Sequence, residues 1–310
     1  MNKVFVLGSI NMDLVFSVDR IPKLGETIKS NDFFMTPGGK GANQAVACAK
    51  QGILTYMIGS IGSDELSKES KRSMQNQSVD CTYVKEIDQT TVGVAGIFVE
   101  NADNRIITFS GANKFHDLES IKTILEINST KEDYLLTQLE IPLDVVKEAL
   151  TKAKQLGLKT VLNAAPAQNL TKDVLCLVDI LVINETEIET ITEIIPKDEK
   201  AIESSFDKLL KSGVKSVVLT LGEKGSLYSD KFETIKIGVY NVKVIDTTAA
   251  GDTYIGGLIS QLINHKSIKQ AMQYATAASA LAITKKGAQN SIPQKDEVIN
   301  FMIKEGDINE

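Results

Sequence analysis

The sequence predicts an α/β fold: a doubly wound, mainly parallel sheet flanked by helices, with a small antiparallel β lid. Three observations point to it. Short apolar, mostly β-branched runs recur along the 310 residues with helix-like segments between them, the rhythm of parallel strands buried on both faces. A turn of small residues leads into an apolar helix at Asp246 to Gly257, an arrangement by which such folds bind anions. Two stretches, 12–35 and 92–110, break the rhythm with alternating apolar and polar positions, which reads as antiparallel strands.

In chain order, Val4–Leu7 is the first strand. Residues 42–51 form a helix of small residues (Ala42, Ala45, Val46, Ala47, Ala49) stopped by Gly52, a good breaker. Strand Leu54–Ile58 and helix 64–76 follow, then strand Tyr134–Gln138, helix 143–156, strands Thr160–Leu162 and Ile180–Ile183, helix 199–212 and strand Val217–Leu219. Helices 252–263 and 267–283 complete the sheet's cover, the second rich in alanine and capped by Ser267. In the two exceptional stretches the alternation is carried by Leu14, Phe16 and Val18 and by Val94, Gly96, Phe98, Ile106 and Thr108. The expected division is a large α/β unit of residues 1–11, 36–91 and 111–310, and a small β lid of 12–35 and 92–110. The tail from Lys304 to Glu310 is polar enough to fray.

With 43% hydrophobic and 24% charged residues the composition is that of an ordinary globular chain. A net charge of −6 argues against a nucleic-acid partner, yet local amides and lysines still hold the phosphates of a nucleotide. No apolar run reaches the ~18 residues of a membrane span, and the apolar start is too short for a signal peptide. Cys48, Cys81 and Cys176 are odd in number and widely spaced, as expected of free thiols in a reducing cytoplasm.

The densest chemistry lies in Asp246-Thr-Thr-Ala-Ala-Gly-Asp-Thr-Tyr-Ile-Gly-Gly257. Ala249, Ala250 and Gly251 have little or no side chain, so backbone N–H groups at the helix start can meet an anion with the aid of the helix dipole. Asp252 does not bind a phosphate, but it can take the proton from a hydroxyl attacking one. That combination suggests a kinase with Asp252 as general base. The plain alternative is an ordinary helix start with Asp252 as a first-turn acid. A second segment, Pro37-Gly-Gly-Lys-Gly-Ala-Asn-Gln44, has neither the Walker A nor the G-x-G-x-x-G spacing. Its glycines, Gly39 among them, let backbone approach a small polar ligand, and Lys40 and Asn43 can hydrogen-bond its hydroxyls. Taken alone it also fits a tight strand-to-helix turn.

These segments, together with Gly8-Ser-Ile-Asn-Met-Asp13, Gln138-Leu-Glu140, Asn163-Ala-Ala-Pro-Ala167, Asn184-Glu-Thr-Glu187, Thr220-Leu-Gly222 and Lys286-Gly-Ala-Gln289, occur in the same order in the ribokinase-like sugar kinases, which the whole chain resembles. The resemblance implies ATP-dependent phosphorylation of the O5 hydroxyl of D-ribose, with Mg²⁺. It makes Asp252 the base and the turn from Ala249 to Asp252 the anion hole. Asn11, Asp13, Gly39, Lys40, Asn43 and Glu140 would bind the sugar. Asn184, Glu187, Thr220, Gly222 and Gly251 would serve the nucleotide, with Glu187 acting on magnesium largely through water. Asn184 and Glu187 also have the spacing of a capping box. A monovalent cation, usually potassium in that family, would fall on Asp246, Thr248, Ala282, Lys285, Gly287 and Ser291. The lid would cover the sugar and pair two copies into a homodimer.

Ligands in open α/β sheets bind beyond the carboxyl ends of the strands, and each motif, Asp252 included, is expected just after one. Met12, where the family often has a small residue, stands between the two sugar positions, and Ala165 replaces a family proline. Competing readings are a kinase of 2-deoxyribose, another pentose or a nucleoside, and, in a different class, a catalytically silent sugar-binding regulator. A nucleoside kinase needs an apolar shelf, for which Phe16, Phe34, Phe98 and Phe109 are candidates, as they are for lid core. His116 and His265 lie outside every motif.

Overall fold

The computed structural model describes residues 2–100 and 103–308. Asn101 and Ala102, within the stretch 92–110, and the tail residues Asn309 and Glu310 lie outside the described residues, as does Met1. The strands are β1 (Lys3–Leu7), β2 (Asn11–Ser17), β3 (Asp32–Gly38), β4 (Leu54–Gly62), β5 (Asp80–Ile87), β6 (Gly93–Glu100), β7 (Asp103–Phe109), β8 (Tyr134–Thr137), β9 (Lys159–Asn163), β10 (Ile180–Asn184), β11 (Ser216–Thr220), β12 (Ser226–Ser229) and β13 (Thr234–Ile237). The helices are α1 (Lys40–Lys50), α2 (Glu65–Asn76), α3 (Leu118–Asn128), α4 (Leu143–Leu156), α5 (Lys172–Leu175), α6 (Glu185–Thr192), α7 (Glu199–Lys211), α8 (Ala250–Ile263), α9 (Ile268–Ala282) and α10 (Lys295–Glu305).

Nine strands form one sheet in the order β13-β12-β11-β10-β9-β8-β1-β4-β5. All pairings from β11 to β5 are parallel, while β12 and β13 add an antiparallel edge. The apolar runs explain this. Val4, Val6, Leu136, Val161, Val182 and Val218 face one hydrophobic core, and Phe5, Leu7, Leu135, Leu162, Leu181 and Leu219 face the other. Helices α1, α8 and α9 close the first core; α4 and α7 close the second. Each fully buried Val, Leu or Ile contributes roughly 1.5–3 kcal/mol, so two cores of this size hold the sheet rigid.

The chain runs from β1 outward through β4 to β5, then returns to the other side of β1 with β8. The order therefore reverses between β1 and β8, and the crevice beyond the carboxyl ends of those two strands is the natural ligand position. Gly8 and Ser9 leave β1 there, and Gln138 to Glu140 leave β8.

Four strands, in the order β3-β2-β6-β7, make the second sheet. β2–β3 and β6–β7 are antiparallel, but the two pairs join through parallel pairing of β2 with β6, because both strands leave the large unit in the same direction. Residues 18–31 within the stretch 12–35 form no strand.

Elements beyond those expected from the sequence are β5, α3, α5, α6, β12, β13 and α10. The expected tail begins inside α10, which ends at Glu305 with Gly306 in the left-handed conformation. One positional expectation is corrected. Asp252 does not follow a parallel strand. β13 is an antiparallel edge strand, and the loop from Gly238 to Ala249 carries the chain back across the sheet to α8.

Candidate active site

Asp252 sits in the first turn of α8 and is 7% exposed. Its Oδ1 accepts from Gln44 Nε2 at 2.9 Å and its Oδ2 from Asn43 Nδ2 at 3.0 Å. Both donors come from the first five residues of α1. The approach depends on small residues, since a Cβ at Gly256 would lie 2.3 Å from the Ala47 Cβ. Gln44 is itself oriented by a chain: Gln138 Nε2 donates to Gln44 Oε1 at 2.7 Å, and Gln44 Nε2 also donates to Asn163 Oδ1 at 3.0 Å. A side-chain amide locked from both ends presents only hydrogens to Asp252, so the carboxylate keeps its acceptor orientation.

The two helix starts differ. At α1 the amides are taken: Lys40 N–H donates to Glu140 Oε2 at 3.0 Å, Gly41 N–H to Ser9 Oγ at 3.2 Å and Ala42 N–H to the Ser9 carbonyl at 2.9 Å. At α8, Ala249 is left-handed (φ 58°) and gives no side-chain cap. The Ala250 N–H donates to the Thr247 carbonyl at 3.2 Å, but the N–H groups of Gly251 and Asp252 have no partner among the described residues. An open helix start without a side-chain cap is where an anion is accepted.

Lys40, Asn163, Asn184, Glu187, Thr220 and Ala249 to Asp252 line one cavity of about 250 Å³. Burial alone would lower the Lys40 pKa, but Asp252, Glu140 and Glu187 around it raise it, so its ammonium stays charged. Asn184 and Glu187 form the capping box of α6: Glu187 N–H donates to Asn184 Oδ1 at 2.9 Å, and Glu187 Oε2 accepts from Asn184 N–H at 2.9 Å. Glu187 is 5% exposed, and burial raises its pKa against those hydrogen bonds. Thr220 ends β11, and Gly222 opens the exposed turn Gly222–Lys224.

Asn11 and Asp13 lie on β2 two residues apart, hence on one face of the small sheet. Met12 turns to the other face and is buried in the core at 2% exposure. Gly38 makes room for Asp13, whose Oδ2 would be 2.3 Å from a Cβ there. Burial, Glu140 and Asp252 push the Asp13 carboxyl up to about 7. Glu140, besides capping α1, accepts from Ser9 Oγ at 2.5 Å.

Asp246 draws two loops together. Its Oδ1 accepts from Thr248 N–H at 2.9 Å and Thr248 Oγ1 at 2.6 Å, and its Oδ2 from Gly287 N–H at 2.9 Å. The Ala282 carbonyl accepts from Lys285 N–H at 3.1 Å, the Lys285 ammonium pairs with Glu297 at 2.7 Å, and buried Ser291 donates to the Ala288 carbonyl at 2.8 Å. Among the described residues no group of three or more His, Cys, Asp or Glu could hold a metal ion.

The structure thus brings Lys40, Asn184, Glu187, Thr220 and Ala249 to Asp252 around one cavity, sets Asp13 and Glu140 close enough to act on its charged groups, and leaves Gly222 exposed. The chain of Gln138, Gln44 and Asn163 behind Asp252 lies within the motifs, which by themselves give these three side chains no role. The usable signal was that Gln44 follows Asn43 on a helix start.

An acid held ready beside an open, anion-accepting helix start, at the switch point of an α/β sheet, defines a small-molecule kinase. The chain belongs to the pfkB family of carbohydrate kinases, whose pattern matches residues 1–295. It is 41% identical over 298 residues to the ribokinase of Haemophilus influenzae, covering 96% of this chain and 97% of that protein. It is also 33% identical over 301 residues to a deoxyribokinase of Salmonella typhi, covering 96% and 98%. The ribokinase of Arabidopsis thaliana, solved with ribose and ATP, superimposes with a TM-score of 0.89 at 30% identity, covering 97% of this chain and 99% of that one.

Proposed function

We propose that this enzyme transfers the γ-phosphoryl group of ATP to the O5 hydroxyl of D-ribose, giving D-ribose 5-phosphate. The observation that carries the reading is Asp252, oriented by Asn43 and Gln44 and set beside the open N–H groups of the α8 start. Asp252 takes the O5 proton as the oxygen attacks. The free amides of Gly251 and Asp252, with Ala249 and Ala250 shaping the turn, stabilise charge on the phosphoryl group in flight. Ribokinase relatives along the whole chain support the substrate and ATP.

Asn11, Asp13, Gly39, Lys40, Asn43 and Glu140 hold the sugar in this account. Asn43 Oδ1 is buried and has no hydrogen-bond partner among the described residues, which suits an acceptor kept for a substrate hydroxyl. Asn184, Glu187, Thr220, Gly222 and Gly251 serve the nucleotide. Magnesium bound with ATP would neutralise phosphate charge, and Glu187 would act on it through water. Asp246, Thr248, Ala282, Lys285, Gly287 and Ser291 would hold a monovalent cation, which would steady the Thr247 to Gly251 turn. Of the four phenylalanines weighed as a base shelf, Phe16 stacks on Phe98 at 5.5 Å on the face opposite Asp13, as lid core does, whereas Phe34 pairs with Val15 and shares the Asp13 face.

The small sheet acts as the lid, excluding water that would compete for the phosphoryl group. Its faces leave Phe33, Phe34, Met35, Ile106 and Ile107 between 46% and 70% exposed; apolar surface of this kind supports a homodimer through the lid. Light scattering would test that, with Phe34→Glu expected to give monomers. Among the described residues no helix is long and apolar enough to cross a membrane. The three cysteines are free, which fits the cytoplasm.

The substrate is tested by offering equal ribose and 2-deoxyribose with limiting ATP and identifying products by phosphorus NMR. A 5-phosphomonoester of ribose is expected to dominate. A dominant 2-deoxyribose product, or phosphate on another hydroxyl, would reject the assignment.

A further inference from the structure

We propose that Asn113, which belongs to none of the motifs above, is a positioning residue that fixes the amide of Asn11 so that its NH₂ group is offered to the sugar. The inference rests on the reading that Asn11 touches the substrate. Asn113 lies in the short turn Gly111–Lys114, where the chain returns from the small sheet to the large unit, and it is 2% exposed. Its Oδ1 accepts from Ile10 N–H at 2.9 Å, and its Nδ2 donates to the Ile10 carbonyl at 3.2 Å and to Asn11 Oδ1 at 2.8 Å. A backbone N–H only donates and a carbonyl only accepts. The Asn113 amide therefore cannot flip without losing both bonds to Ile10, and the group it turns toward Asn11 is a hydrogen.

A hydrogen there requires the oxygen of Asn11, so Asn11 Nδ2 turns away and has no partner among the described residues. The pairing is tightly enclosed: a Cβ at Gly93 would lie 2.1 Å from Asn11 Oδ1 and 2.3 Å from Asn113 Nδ2. With Asp13 two residues along the same face, the site then offers a hydroxyl one donor and one acceptor. A flipped Asn11 would offer two acceptors, and one hydroxyl hydrogen cannot serve both.

The test is a double-mutant cycle on ribose binding, measured by calorimetry with a non-hydrolysable ATP analogue present. Asn113→Ala and Asn11→Ala are each expected to weaken ribose roughly tenfold, the scale of one neutral hydrogen bond. The double variant should bind no more than about twofold worse than Asn11→Ala, with KM for ATP unchanged within the same factor. Asn113→Asp keeps the size and the acceptor for Ile10 N–H but turns an acceptor on Asn11, so it should lose ribose affinity as well; it carries the test if the alanine variant does not fold. Full ribose affinity in both Asn113 variants, losses that multiply in the double variant, or equal weakening of ATP would overturn the proposal. Wild-type ribose binding measured alongside separates this from failure of the substrate assignment, in which case the cycle is run with the pentose that is turned over.

Discussion

Asn43 Nδ2 donates to Asp252 Oδ2 at 3.0 Å across 209 residues of chain, so the orientation of the proposed base is set by the packing of α1 against α8. That contact exists only because Gly256 lets the α8 backbone meet Ala47. Gly256→Ala forces the helices apart, since its Cβ would sit 2.3 Å from that of Ala47. Overpacking of this kind costs about 1–3 kcal/mol. The expected outcome is a lower Tm together with a lower kcat, measured by calorimetry and initial rates; an unchanged kcat would mean that the helix contact does not govern Asp252.

Gln44→Glu replaces a donor to Asp252 Oδ1 with a second carboxylate. Repulsion between the two carboxylates turns Asp252 out of the orientation that Asn43 and Gln44 set, and turnover at neutral pH should fall at least ~10-fold. Gln44→Leu removes the donor without the charge and should lower turnover less. Equal turnover in the two variants would speak against the electrostatic account.

Asp13 makes sugar binding pH-dependent. An acid raised from 3.8 to about 7 binds its proton more tightly folded than unfolded. The stability this confers is fully present below the unfolded value and is lost as pH rises through about 7. Asp13→Asn should therefore lose less Tm than wild type between about pH 5 and pH 8. Ribose, which needs the ionised carboxylate as acceptor, should bind the wild type more weakly as pH falls below 7 and the variant weakly at every pH. A flat wild-type affinity profile would remove Asp13 from sugar recognition.

Potassium should raise turnover relative to a bulky organic cation at equal ionic strength, through the loop that Asp246 ties to Gly287. Asp246→Ala should abolish the difference while leaving KM for ribose within about threefold. Equal rates of the wild type in both salts would leave the cation site without support.

Much of this was legible in the sequence for identifiable reasons. Buried parallel strands such as Ile180–Asn184 are continuous apolar runs bounded by turns, and α1 is bracketed by Gly39 and Gly52, so both were found. β12, buried between β11 and β13, and the edge strand β13 have four residues each, too few to set a period, whereas α3 and α10 carry helical spacing in Ile121 with Leu125 and Val298 with Met302. Asp252 and Asn43 were legible because small-residue turns constrain chemistry locally. Gln138, Gln44 and Asn163 act together only after three separate elements meet, and Asn113 acquires its part by facing the backbone of Ile10 from 103 residues away. Side-chain amides carry no local pattern that reveals such pairings.

The most direct test of the central claim is Asp252→Asn, which preserves shape while removing the proton acceptor. Steady-state turnover with ribose and ATP should fall by at least ~10²-fold, the lower range for loss of a general base, while calorimetry gives ribose and ATP-analogue affinities within a few-fold of wild type. Near-wild-type turnover in that variant would contradict the assignment of Asp252 as the base.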